Sequence, residues 1–353
     1  MDKRWARWLP AVVVPVIIGV GVIAAPLTAG AAVDLPDKTP AEVIELAAES
    51  TVSAFSGTVE QTSNLGLPDL SGLAGSSSGA SADDVSSMLE LVTGSHTARV
   101  FVDGADARLQ VLDPLAERDV IRTGDDLWYY DSESASATHV VTPAGTGRAV
   151  APAPQTPAEL ADEFLGHIDA STAVSVGTDA AIAGRTVYEL ILTPRSADTL
   201  VASVTIAVDS ETGLPLSVEV WARGATAPAF SLAFSQLSLA APDADLFAFT
   251  PPAGTAVTEQ AVPERHDGDV TAPVGEPSGI TTIGSGWSTV VEIPAATVPS
   301  DLTASPLLTA AAEKVDGGRV VGTALVSVLF TDDGRVLAGA VTPQRLQDAA
   351  AGR

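Results

Sequence analysis

The chain contains no cysteine among its 353 residues. That excludes disulfides, a thiol nucleophile, cysteine-based metal sites and the acylated cysteine of a bacterial lipoprotein. Lysine occurs only at Lys3, Lys38 and Lys314, and 18 basic residues face 44 acidic ones for a net charge of −26. Such a surface repels phosphate backbones and anionic headgroups, so nucleic acid is not a partner. Catalytic patterns are as scarce. No Gly-Lys pair exists, so there is no Walker A loop. His96, His139, His167 and His266 show neither H-E-x-x-H nor any paired spacing, and no metal or cofactor is expected. Gly75-Ser-Ser-Ser-Gly79 matches G-x-S-x-G literally, but it sits in Ser/Gly-rich sequence without the strand and helix a nucleophile elbow needs. The acidic pairs Asp125-Asp126 and Asp332-Asp333 fall at turn positions. No catalytic residue is assigned, and the expectation is a protein that is not an enzyme.

What is present begins at the N-terminus. Lys3, Arg4 and Arg7 form a basic region, and no charge follows until Asp34. Trp8 to Val33 is uncharged over 26 residues, long enough to span a bilayer, and Ala29-Gly-Ala31 is a small-residue cleavage pattern. Residues 1–33 therefore read as a signal peptide or a transmembrane anchor. In either case the basic end stays inside, and the body is exported to the outer side of the cytoplasmic membrane, the wall or the medium.

Beyond it, Thr39-Pro-Ala-Glu42 and Thr156-Pro-Ala-Glu159 each supply an N-cap, a proline in the first turn and a capping-box glutamate. Two helices start there. Between and after them short segments alternate in period two: Ala54–Thr62, Thr97–Val102, Arg108–Leu112, Asp119–Thr123, Leu127–Asp131, Ala135–Val141, Thr186–Thr193, Leu200–Val208, Leu216–Ala222 and Phe230–Leu239. Hairpin turns join most of them, so an antiparallel meander is expected, curled around few helices. A Ser/Gly-rich run from Ser71 to Ser81 leads into Val85, Met88, Leu89 and Val92 at helical spacing, which reads as a short helix on a leash and a possible lid. Residues 259–278 form a Pro/Gly/acidic linker. Residues 279–353 make a small α+β unit, with strands at Ala324–Phe330 and Val336–Val341 and a last helix near Thr342-Pro343.

Two landmarks carry a family resemblance: Phe55-Ser-Gly-Thr-Val59 and the closing Leu246-Phe-Ala-Phe-Thr-Pro-Pro-Ala-Gly254. With the order of elements around them, residues 34–258 resemble the LolA-like family. The resemblance implies a mainly β (α+β) fold, an unclosed antiparallel β-barrel whose concave face is covered by helices. It implies a non-catalytic carrier or sensor of acyl lipid or of a lipoprotein's acyl chains. The alternative is an RseB-like regulator whose partner is an anti-sigma factor or another envelope protein. Phe55, Val59, Trp128, Tyr130, Tyr188, Leu190, Leu192, Phe230 and Phe234 recur at alternate strand positions and are the candidate apolar cavity.

Export is directly testable. Protease added to intact cells should degrade the body of the chain, and the released form should begin at Ala32. A body protected in the cytoplasm would contradict the reading.

Overall fold

The computed structural model describes residues 35–66, 95–112, 116–141, 156–261, 279–298 and 312–352. The N-terminal segment 1–33, Gly75–Gly79 and the lid candidates Val85, Met88, Leu89 and Val92 lie outside the described residues, as does most of the 259–278 linker.

Helix α1 spans Pro40–Ala48 and α2 spans Pro157–Leu165. Both start as their sequences require. Thr39 and Thr156 each accept from the backbone N–H three residues on, and Glu42 and Glu159 each accept from the backbone N–H of the capping threonine.

A first run of strands comprises β1 (Ala54–Ser63), β2 (His96–Asp103), β3 (Asp106–Leu112), β4 (Glu117–Thr123), β5 (Asp126–Asp131) and β6 (Ser136–Val141). A second comprises β7 (Thr172–Val176), β8 (Ala180–Ile182), β9 (Arg185–Pro194), β10 (Val201–Asp209), β11 (Pro215–Ala222) and β12 (Phe230–Ser238), followed by β13 (Ala256–Ala261). They form one 13-stranded sheet in the order β13-β6-β5-β4-β3-β2-β1-β12-β11-β10-β9-β7, with β8 paired to β9. The two ends never meet, so the sheet is not closed into a barrel.

The sheet is mixed where an antiparallel one was expected. Strand β13 pairs parallel to β6, from Ala256 opposite Ser136 to Ala261 opposite Val141. The crossing that makes this possible is Ser238 to Thr255, which carries the chain back over the sheet. The big sheet therefore extends to Ala261, past residue 258 and into the expected linker.

The C-terminal unit has its own six-stranded sheet, β14 (Thr281–Ile283), β15 (Val290–Ile293), β16 (Glu313–Val315), β17 (Gly318–Gly322), β18 (Ser327–Thr331) and β19 (Val336–Gly339), in the order β14-β15-β19-β18-β17-β16. Helix α3 (Pro343–Ala350) packs on it, with Leu346 and Ala349 in a small core with Val290, Leu329 and Leu337. Gly286-Trp-Ser288 forms a 3-10 turn ahead of β15.

The seam between the two runs of strands is the β1–β12 pair, and it depends on one glycine. Gly57 faces Leu237 across the pair, and a Cβ there would lie 2.5 Å from the Gln236 carbonyl and 2.8 Å from the Phe234 ring. Gly57→Ala should therefore destabilise the domain by about 2–3 kcal/mol, read as a lowered midpoint in urea unfolding. An unchanged midpoint would show that the seam tolerates the methyl group.

Candidate functional site

Register divides the large sheet into two faces. Residues opposite each other across a pair project to the same side. Phe55, Gly57 and Val59 on β1 share a side with Val102, Val100 and Ala98 on β2, and with Phe234 on β12. The same side runs through Val220 and Val218 on β11, Val204 and Ile206 on β10, and Leu192 and Leu190 on β9. This is the inner face. Among the described helices α1 lies over β7 and β9, and α2 over β11 and β12.

Seven of the nine candidate cavity residues meet there: Phe55, Val59, Tyr188, Leu190, Leu192, Phe230 and Phe234 belong to one buried apolar cluster. Phe55 and Phe234 make an edge-to-face pair with centroids 5.9 Å apart, a geometry the ring quadrupole favours. The landmark Phe55-Ser-Gly-Thr-Val59 now has a physical meaning. Phe55 and Val59 bracket the Phe234 ring, and Gly57 is the space beneath it.

Trp128 and Tyr130 do not join them. They pair with His139 and Ala137 on β6, and with Ile121 and Asp119 on β4, on the outer face. Trp128 stacks on the His139 imidazole at 4.2 Å, and both Trp128 and Tyr130 meet Phe249 of the closing landmark. The cause is a phase of one residue. Period-two alternation in Leu127-Trp-Tyr-Tyr130 puts Leu127 and Tyr129 inward and Trp128 and Tyr130 outward. The closing landmark then covers the outer face, with Phe247 buried and its carbonyl accepting from Thr123 at 2.6 Å.

Two further inner-face features escaped the sequence reading. The first is a contribution from the C-terminal unit. Leu325, at the turn between β17 and β18, is 2 % exposed and belongs to the inner-face cluster. The turn is held by the Thr323 hydroxyl, which accepts from the Leu325 and Val326 N–H groups, and by the Ala324 N–H, which donates to the Leu65 carbonyl at 2.7 Å. Nearby, Trp287 stacks with Phe164 of α2 and donates to Thr172. The small unit thus helps to roof the large sheet.

The second is His96, opposite Gln61 at one end of the inner face. It is 3 % exposed, and neither ring nitrogen has a hydrogen-bond partner. Burial, with a smaller contribution from Arg118, lowers its pKa to about 3. His139, by contrast, lies between Asp126 and Glu259 at 2.7 and 2.8 Å; burial opposes its protonation, but these hydrogen bonds outweigh it and raise its pKa. Among the described residues, no three His, Asp or Glu side chains converge in a way that could hold a metal ion, and no helix is long and apolar enough to cross a membrane.

No family model and no curated protein matches this sequence. The solved structures similar to it include a LolA superfamily protein. The complex of MucA and MucB from Pseudomonas aeruginosa contains a chain 17% identical, at a TM-score of 0.43, covering 88% of this chain and 96% of that one. A LolA superfamily protein from Nitrosomonas europaea is 13% identical at 0.24, covering 60% and 99%. An outer membrane lipoprotein-sorting protein domain from Vibrio parahaemolyticus is 12% identical at 0.22, covering 56% and 92%.

His96 gives a pH prediction with a defined sign. Its folded pKa of about 3 lies below the unfolded value near 6.5. The unfolded chain takes up a proton as pH falls through that window while the native chain does not. Stability from this site is therefore complete above pH ~6.5 and is lost progressively toward pH ~3. In His96→Leu the acid limb of the stability–pH curve should flatten in this window; an unchanged limb would assign acid sensitivity elsewhere.

Proposed function

We propose that this chain is an exported, non-catalytic binding protein that takes an acyl chain, of a lipid or of a lipoprotein, on the inner face of its open sheet. The observation that carries this reading is the composition of that face and of its roof. Apolar side chains run continuously from β3 to β9. Over them, among the described residues, lie two nine-residue helices and the Leu325 turn. Helices of that length are marginal alone and hold by docking. A surface that accepts their apolar stripes is equally suited to methylene groups, each worth about 0.8 kcal/mol on burial. His96 adds a polar end, since a buried imidazole without partners is matched by an ester or amide group at the head of an acyl chain.

The competing reading is a regulator that binds an anti-sigma factor or another envelope protein. It requires no ligand on the inner face. Titration with a fluorescent fatty acid separates the two. Saturable binding should weaken by about tenfold or more in Val102→Asp, at a half-buried inner-face position packed against the cluster. Trp128→Asp, on the outer face, should leave it unchanged. Absence of binding to the native chain would favour the protein partner, and equal loss in both variants would separate binding from the inner face.

A further inference from the structure

One end of the large sheet is a strand that little holds in place. Beyond β6 lies β13, the outermost strand on that side. Ala256 to Gln260 are all exposed, so burial contributes little to its docking. Its ties include the parallel ladder to β6, a pairing slightly weaker per residue than an antiparallel one. The Ala256 N–H adds a bond to the Ala135 carbonyl at 2.8 Å, and Glu259 contacts His139 at 2.8 Å.

His139 meets a carboxylate with each ring nitrogen: Nδ1 lies 2.8 Å from Glu259, and Nε2 lies 2.7 Å from Asp126 of β5. An ionised carboxylate only accepts, and a neutral imidazole has a single N–H. Both contacts are therefore hydrogen bonds only in the imidazolium form. Trp128 stacks on the ring at 4.2 Å, and an indole face attracts a cation. The charged groups facing His139 among the described residues are Asp126 from β5 and Glu259 from β13. The closing segment approaches through Phe249, which meets Trp128, and β4 through the uncharged Ile121 opposite Trp128.

We propose that β13 is a pH-sensitive cover for the β6 edge, clasped while His139 carries its second ring proton and loosened when that proton leaves. On deprotonation one of the two contacts must fail. Asp126 belongs to β5, which is paired to β4 and β6, whereas β13 is paired on one side. The Glu259 contact is the one that yields, because a carboxylate facing an imidazole lone pair has no proton to share. Burial opposes protonation of His139, but the hydrogen bonds to Asp126 and Glu259 outweigh it and hold its folded pKa above the ordinary 6.5. The clasp is therefore complete below pH ~6.5 and is lost as pH rises through that raised value. Release bares the backbone groups of β6, and an uncovered edge is a template for a further strand. The clasp is separate from the apolar cluster, since His139 and Trp128 lie on the outer face.

The test is hydrogen exchange of the purified chain from about pH 6 to 9, corrected for intrinsic exchange at each pH. Both carboxylates stay ionised over that range, and His96, with a pKa of about 3, stays neutral. Protection of the β13 amides should fall about two- to fivefold with rising pH, while that of β1 and β12 stays constant. Glu259→Gln places an amide that can donate or accept beside either form of the imidazole. It should make β13 protection independent of pH and shift the NMR titration of the His139 ring to lower pH. Glu259 is exposed, and circular dichroism should confirm that the variant keeps its sheet. Flat β13 protection in the native chain, or an equal fall in Glu259→Gln, would overturn the proposal.

Discussion

The structure turns on the contact between Phe234 and the glycine beneath it. Strand β1 holds β2, and through it β3 to β6 and β13, on one edge and β12, and through it β11, β10, β9 and β7, on the other. No other pair in the large sheet joins its two runs of strands. At this seam the Phe234 ring lies where a Cβ on residue 57 would stand, with Phe55 meeting it edge-on and Val59 directly opposite. A register shift between Thr58 and Val59 lets the ring settle there, as bulges do when a strand must re-aim a side chain. A local packing event thus fixes the register of both halves, and register decides which side chains face inward across the sheet.

That dependence explains what the sequence disclosed and what it withheld. The two T-P-A-E boxes identify helix starts because capping is local chemistry: a hydroxyl, a proline and a carboxylate within four residues. Most strands were visible for the same reason. Sidedness was not local. Tyr188, Leu190 and Leu192 alternate as Trp128 and Tyr130 do, and only the ladder from β4 through β6 shows that the latter pair points outward. An outer face is usually polar, which makes large apolar residues a fair guide to the inside. Here the closing landmark covers the outer face with Phe247 and Phe249, so that guide fails at β5.

Some of the elements missed have partners far along the chain. Strand β13 alternates weakly and is exposed, yet it is ordered by parallel pairing with β6, about 120 residues earlier, and by the Glu259–His139 contact. Leu325 is an unremarkable turn residue in its own hairpin. Its burial belongs to a cluster assembled from the other unit. The backbone bond from Leu200 to the Ala340 carbonyl and that from Thr342 to the Asp198 carbonyl join the units a second time. The two units are therefore in contact at more than one place.

These facts place different demands on the two faces of one sheet. The inner face gains its stability from dry apolar contact, and the buried, unpaired His96 is tolerated there as a cost against that gain. The outer face is held by hydrogen bonds to backbone carbonyls: Arg108 to Leu246 and Thr123 to Phe247 pin the returning chain over β3 and β4. The same arginine neutralises Asp119, whose carboxyl burial still pushes up to about 6. Because Arg108 serves both purposes, the returning chain and the Asp119 carboxylate cannot be altered independently. A β-strand offers only two sides, and in β3 one side gives Leu109 and Val111 to the apolar core while the other carries Arg108 and its contacts to Asp119 and Leu246.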